Sequence, residues 1–455
     1  MRQKSLPLSV RYAQPQAGWP SRSARAPDMR PRLLRDWLAT LVMALAVPAL
    51  ILPLFAVGTA HTVGPTTSRS VHEVAAALDG RNPSGPGSNQ GGGGGVGQRD
   101  PAPTGSAASS ASPSAAVLST PTQAPSLIEA PHPPTATGSI LISAAELAAR
   151  PMSGAAWDSL KGAADAPAGS PNLADLNQSN NVAVLAEALV YARTGDETYL
   201  ARVLSALHGV IGSEAGGTTL ALGRELAAYV LAADLISLQS VDPAFDSTFR
   251  GWLASLVARP MADGNSLRQT HERRPNNWGT HAGASRAAVA AYLGNASELA
   301  RIAQVFKGWL GDRASYSGFG FGDLSWQADA SQPVGINPAG STIAGQSVDG
   351  VLPDDQRRTG GFAWPPPCGN YPYGALDGAL LQAEILWRAG YDTFNWQNQA
   401  LLRAELWLRS TGCPPSGDNV WQAPLLDARY GTSFWNGAPV RPGKNFGWTS
   451  WLYAK

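Results

Sequence analysis

The 455-residue chain is poor in the residues that most often mark metal or redox chemistry, with 2 cysteines, 6 histidines and 5 methionines. Cys368 and Cys413 have no CxxC companion and no nearby histidine. A zinc site needs three or four such ligands, so none is expected. P-loop and Rossmann glycine patterns are missing, and no cofactor is called for. GxSxG and HExxH are missing too, which leaves Ser–His–Asp catalysis and zinc-protease chemistry without support. Charged residues make up only 15% of the chain and nearly balance at a net +1. With no basic face interleaved with aromatics, nucleic acid is not an expected partner. Alternating strand-like patterns are scarce as well. In an exported protein the two cysteines would most simply form one disulfide, with free buried thiols as the alternative.

What the chain does have is unevenly spread. Much of its 49 Gly and 36 Pro sits before residue 138, whereas most of its 15 Trp lie after it. Residues 1–36 are basic, carrying Arg2, Lys4, Arg11, Arg22, Arg25, Arg30, Arg32 and Arg35 against Asp28 and Asp36. An uncharged apolar run follows from Trp37 to Val57, long enough to cross a bilayer as a helix. The positive flank keeps the N-terminus inside and sends the rest outward. Two readings share that topology: a transmembrane signal anchor, or a signal peptide cut near Gly58-Thr59-Ala60. Either predicts an extracytoplasmic protein, membrane-anchored through 37–57 or secreted. Residues 61–137, with the glycine run Gly91–Gly95 and a stretch dense in Pro, Ser, Ala and Thr, read as a disordered linker. The remainder, 138–455, is expected to be the working domain.

From Gly138 the rhythm is helix, tight glycine turn, helix. Helical patterns end at Thr194-Gly195-Asp196 and resume from Glu197 to Val210. Others run over Leu222–Leu238, Pro243–Leu256, Ala282–Leu293, Ala296–Leu310, Gly374–Ala389 and Phe394–Ser410. Glycines after helices suit the left-handed cap. The fold class predicted is all-α, a solenoid or a closed ring of antiparallel helical hairpins. One long stretch, Tyr316 to Pro367, breaks the pattern. A loop of that length is usually functional, and Trp326, Asn337, Arg357, Arg358 and Trp364 are expected to line a groove.

The densest chemistry lies in Arg273-Arg274-Pro275-Asn276-Asn277-Trp278-Gly279-Thr280-His281-Ala282-Gly283-Ala284-Ser285-Arg286. Asn277, His281 and Ser285 are spaced i, i+4, i+8, so a helix stacks them on one face. Asn277 after Pro275 also suits a helix cap. A second polar helix start, Cys368-Gly369-Asn370-Tyr371-Pro372-Tyr373, offers two tyrosines as acid/base candidates. Asn, His, Tyr and Arg without a paired carboxylate or metal suit β-elimination on a uronic acid polymer. The C5 proton there is weakly acidic, and donors on the carboxylate stabilise the charge that develops when it leaves. A tyrosine or histidine removes it, and a tyrosine hydroxyl protonates the leaving oxygen. Arginine holds neighbouring carboxylates bidentately.

These segments, PNNWGTHAGASRAAVAAYLGN (275–295), DGVLPDDQRRT (349–359) and YPYGALDGALLQAEILWRAGYD (371–392), resemble the α/α-toroid alginate lyase family of secreted bacterial polysaccharide lyases. The resemblance implies an incomplete (α/α) toroid of antiparallel hairpins with a groove across one end. It implies Asn277, or Asn276, as carboxylate neutraliser, His281 as neutraliser or base, and Tyr373, or Tyr371, as catalytic acid/base. Arg357 or Arg358 becomes a substrate clamp, and Trp278, Arg286 and Trp326 join the expected substrate contacts. The partner is an acidic polysaccharide, alginate being the expected one. Two alternatives remain. A glycoside hydrolase on a similar barrel would draw its pair from Glu272, Asp323, Asp329, Asp349, Asp354 and Asp355. A non-catalytic acidic-glycan-binding domain on a tether would need no catalytic group at all.

Overall fold

The computed structural model describes residues 139–453. The basic segment, the apolar run at 37–57 and the linker at 61–137 lie outside the described residues. Among the described residues the chain is almost wholly helical, and no helix is long and apolar enough to cross a membrane.

Fifteen helices follow in order: α1 (Ala144–Ala149), α2 (Ala155–Asp165), α3 (Asn180–Thr194), α4 (Glu197–Val210), α5 (Thr219–Leu235), α6 (Leu238–Val241), α7 (Pro243–Leu256), α8 (Leu267–Arg273), α9 (Asn277–Tyr292), α10 (Ala296–Trp309), α11 (Pro353–Gln356), α12 (Asn370–Arg388), α13 (Trp396–Ser410), α14 (Gln422–Tyr430) and α15 (Thr449–Leu452). The only strands among the described residues are two short ones, β1 (Thr342–Ile343) and β2 (Gln346–Ser347), paired antiparallel. Gly195, Gly294 and Gly390 all take positive φ where the helical patterns were expected to stop. Three starts come earlier than expected, α5 at Thr219 in place of Leu222 among them. α9 begins at Asn277 and α12 at Asn370, so both polar stretches lie inside helices rather than before them. The short α1, α8 and α14 span too few turns for an apolar periodicity to be read beforehand.

The helices sort into two kinds. α3, α5, α9 and α12 are apolar on nearly every side, and each is buried nearly all round. In α5 every residue but Arg224 and Asp234 is buried, and in α9 every residue but Trp278 and Ala291. In contrast α2, α4, α7 and α10 bury one stripe each, such as Phe245, Phe249, Trp252 and Leu256 in α7. The all-round helices pack side by side in the order α3, α5, α9, α12, and the striped ones cover them from outside.

The inner helices run parallel. Gly223 of α5 abuts Ala282 of α9, and one turn on Ala227 N–H donates to Ser285 Oγ at 3.1 Å. Between α12 and α9, Gly374 lies beside Asn277, Gly378 against His281 and Gln382 against Gly283, so both chains advance together. Glycine is needed there: a Cβ at Gly378 would run into the His281 backbone nitrogen. Segment 139–150 ties the far ends of the row. Ile140 N–H donates to Asp234 at the end of α5 (2.7 Å), Arg193 at the end of α3 donates to the Arg150 carbonyl (2.9 Å), and Arg388 at the end of α12 pairs with Glu146 (2.8 Å). The N-termini of the inner helices therefore gather at the opposite end. There the C-terminal segment reaches from α3 to α12. Asn181 donates to the Lys444 carbonyl (2.7 Å), Trp448 to the Val182 carbonyl (2.9 Å) and Asn445 to the Asp377 carbonyl (2.9 Å).

The Tyr316–Pro367 stretch is a packed excursion. Trp326 is fully buried, edge-on to Phe362 and Trp407, and its Nε1 donates to the Gly360 carbonyl (2.9 Å). Asn337 is fully buried, donating to the Trp326 carbonyl and accepting from Ala328 N–H. The expectation that these two line a groove is corrected: they are the stretch's own core. Trp364 remains exposed. Cys368 and Cys413 form the expected disulfide, joining the chain just before α12 to the chain just after α13.

Candidate active site

The first two turns of α5, α9 and α12 bring one set of polar side chains to this end of the row. α5 supplies Arg224 and Glu225, α9 supplies Asn277 and His281, and α12 supplies Tyr371, Tyr373 and Asp377. The C-terminal segment adds Lys444 and Asn445, and α14 adds Gln422. Four converging helix N-termini make that end electropositive, and Arg224 and Lys444 reinforce it.

Asn276 is the N-cap of α9, its Oδ1 accepting from Trp278 N–H at 3.2 Å, so Asn277 is not the cap. Asn277 N–H instead donates to Asp355 Oδ1 at 3.1 Å, which frees the Asn277 side chain. Its Oδ1 is buried with no hydrogen-bond partner. Asp355 is itself enclosed, and burial and the neighbouring Asp354 push its carboxyl well up against the pull of that amide. His281 is 1% exposed with Nδ1 unpartnered. Burial, then Arg224, then Lys444, hold its pKa well below the usual imidazole value, so the ring is neutral. Ser285, the third member of the predicted face, bridges to α5 by donating to the Gly223 carbonyl at 2.8 Å. It serves packing.

Around them stand buried carboxyls. Gln422 Nε2 donates to Asp377 Oδ1 at 2.6 Å, and burial pushes Asp377 up to about 8 although Gln422 and Arg224 oppose it. Gln178 donates to Glu225 Oε2 at 3.0 Å, and burial lifts Glu225 to about 9 against Arg224. Both are therefore uncharged at neutral pH, and Arg224 keeps its positive charge without a carboxylate salt bridge.

The two tyrosines are divided. Tyr373 is 3% exposed, its hydroxyl donates to the Cys413 carbonyl at 2.8 Å, and burial and Glu405 raise its pKa. The expectation of Tyr373 as acid/base is corrected by that enclosure and by that bond. Tyr371, half a turn earlier, is 39% exposed with the Arg358 guanidinium 4.3 Å over its ring. Arg358 thus stacks on Tyr371, while Arg357 pairs with Asp354 at 2.8 Å.

Other substrate contacts read from sequence lie elsewhere. Arg286 is 1% exposed and held by Glu298 (2.7 Å), Glu272 (3.0 Å) and His271 Nδ1 (3.2 Å), so it is a buried ion-pair centre and not a substrate contact. Trp326 is core, as above. Trp278 is half-buried, with Arg274 stacked 4.4 Å over it. The six carboxylates considered for a hydrolase are all engaged: Glu272 with Arg286 and Arg301, Asp349 with Arg403, Asp354 with Arg357, Asp355 on α9, and Asp323 and Asp329 on neighbouring serine amides. Sequence reasoning missed Arg224, Glu225, Asp377, Gln422 and Lys444. A signal existed for three of them: Arg224-Glu225 and Asp377 are charges set inside otherwise apolar helices.

Residues 153–315 match the family model described as Alginate lyase. That span holds Arg224, Glu225, Asn277 and His281 and stops short of Tyr371, Asp377 and Lys444. A comparison with curated proteins returns no match. Over those residues the chain is therefore similar to the alginate lyase family.

Proposed function

We propose that the chain is a polysaccharide lyase that cleaves a uronate polymer, alginate being the expected one, by β-elimination on an incomplete (α/α) toroid. The parallel inner row with its striped outer cover supports that architecture. The observation that carries the reading is the grouping of Arg224, Asn277, His281 and Lys444 at the N-terminal end of the inner helices, with Tyr371 exposed on the first turn of α12, a cationic end suited to a polyanion. In this reading Arg224 and the Asn277 amide hold the uronate carboxylate as charge develops on it. His281 stays neutral beneath them, a fixed polar floor. Tyr371, as the phenolate, accepts the C5 proton, and the phenol so formed protonates the leaving O4 as the C4–O4 bond breaks. Arg358, stacked on Tyr371, holds the phenol and meets a neighbouring carboxylate.

The carboxyls in the site weigh against the hydrolase alternative. A hydrolase needs one ionised carboxylate as base or nucleophile. Asp377 and Glu225, at about 8 and about 9, both keep their protons at neutral pH. The basic flank and the apolar run at 37–57 support an extracytoplasmic location, anchored or released.

The test is to incubate the protein with alginate, its mannuronate-rich and guluronate-rich blocks, and other uronate polymers. The lyase reading requires new ultraviolet absorbance from the unsaturated product, matched by new reducing ends. Reducing ends without that absorbance would point to hydrolysis, and binding without either to a carbohydrate-binding domain.

A further inference from the structure

Away from the N-terminal end of the inner row, a cleft of about 570 Å³ opens between the loop preceding α3 and the outer helix α4. Ser170, Arg202, Ser205 and Gly209 line it, and Glu187 of α3 forms its floor. Glu187 is 1% exposed, and neither carboxylate oxygen has a hydrogen-bond partner. Arg202 NH1 stands 3.9 Å from its Oε1, too far to bond, and is already donating to the Ala164 carbonyl at 2.9 Å. A buried carboxylate with both oxygens unmet is costly, and groups in that state call for donors.

We propose that this cleft is a second carbohydrate site, taking a pyranose ring whose vicinal hydroxyls donate to Glu187 and accept from Arg202. The lining selects that chemistry. Arg202 beside the carboxylate disfavours a metal cation or an ammonium group. The Glu187 carboxylate disfavours an anion. No aromatic or long apolar side chain lines the walls, so a lipid or a flat aromatic ligand gains little there. A hydroxyl is donor and acceptor at once and fits between a carboxylate and a guanidinium. Burial, opposed by Arg202 and by the Ala168 amide, which approaches Glu187 without reaching bonding geometry, raises Glu187 to about 7, so part of the population carries a proton and hydroxyl donors draw it towards the charged form. The site does not depend on the lyase reading, since none of its residues belongs to the central cluster.

The experiment is saturation-transfer NMR on the full chain with methyl glycosides of mannose, glucose and galactose, and the permethylated mannoside as control. At least one free glycoside is expected to saturate, and the permethylated one is not. Glu187→Leu removes the acceptor. Ser205→Trp fills the cleft from an exposed position, and circular dichroism melts report whether each variant is folded. Both are expected to weaken binding about tenfold or more, the worth of charge-assisted hydrogen bonds. The proposal is overturned if no glycoside saturates, or if binding persists undiminished in either folded variant.

Discussion

At the scale of single residues, two tyrosines two positions apart have opposite surroundings. Tyr373 spends its hydroxyl on the Cys413 carbonyl inside the protein, whereas Tyr371 is open beside Arg358. Tyr371→Phe is expected to lower the rate of unsaturated-product formation by about 10²–10⁴-fold, the range for losing a general acid or base, with an unchanged melting temperature. Tyr373→Phe is expected to do the reverse, keeping most activity and losing about 1 kcal/mol of stability with its buried hydrogen bond. Equal activity losses in the two would sink the assignment. Asp377 offers a second check, through pH. Its folded pKa of about 8 lies above the ordinary carboxyl value. Between those values the folded chain holds a proton that the unfolded chain has released, so stability falls as pH rises through that window. Urea unfolding from pH 5 to 8 is expected to show that fall. Asp377→Asn, which cannot release the proton, is expected to flatten it by up to about 1.4 kcal/mol per pH unit. His271 and His281 act with the opposite sign, because their folded pKa values are depressed. They withdraw stability as pH falls below the ordinary imidazole range, and so do not mimic the Asp377 effect at higher pH.

At the scale of elements, the inner helices touch along glycine seams, and the same substitution is expected to act oppositely in two helices. Gly378 of α12 faces the backbone of Thr280 and His281 with no room for a Cβ. Gly378→Ala is expected to force α9 and α12 apart, costing about 1–3 kcal/mol and shifting His281 enough to lower activity as well. Gly162, inside α2 with nothing within 4 Å of a Cβ, has no such constraint. Gly162→Ala is expected to stabilise by about 0.4–1 kcal/mol, through a less free unfolded chain and better helix propensity. Thermal melts of the two side by side check both signs. The helices themselves were largely legible. α4, α7 and α10 carry enough periodic apolar residues and clear stops that their bounds match the pattern closely, whereas α13 is interrupted near its start by Gln397–Gln399, which take left-handed φ. Legibility failed at the starts of α5, α9 and α12, and in the last two polar residues occupy the first turn. A polar first turn reads as loop in a sequence, yet here it is helix, because those side chains face a polar cluster in place of solvent.

At the scale of the whole molecule, segments distant in sequence hold the site end together. The Cys368–Cys413 bond joins residues 45 apart and anchors the start of α12, with Tyr371 three residues beyond Cys368. Reduction is expected to lower stability by at most about 4 kcal/mol, the loop-entropy limit for that separation. It is also expected to loosen Tyr371, so that activity falls at temperatures where the fold persists. Melts and rates with and without dithiothreitol test this, and an unchanged rate would mean that packing alone holds the start of α12. By itself the sequence determined what depends on neighbours along the chain: an all-α class and helical hairpins punctuated by glycine. Only the tertiary structure decided which polar groups meet. In an inner helix buried on every side, periodicity gives no direction, so nothing along the chain distinguishes Arg286, locked between Glu272 and Glu298, from Arg224, which faces His281 and Asp377. Nor does it tell Tyr373, turned towards Cys413, from Tyr371, turned outwards. Which side of a helix looks at the axis is set by the neighbours that pack against it, and those arrive from up to 266 residues away, as Trp448 does on the Val182 carbonyl.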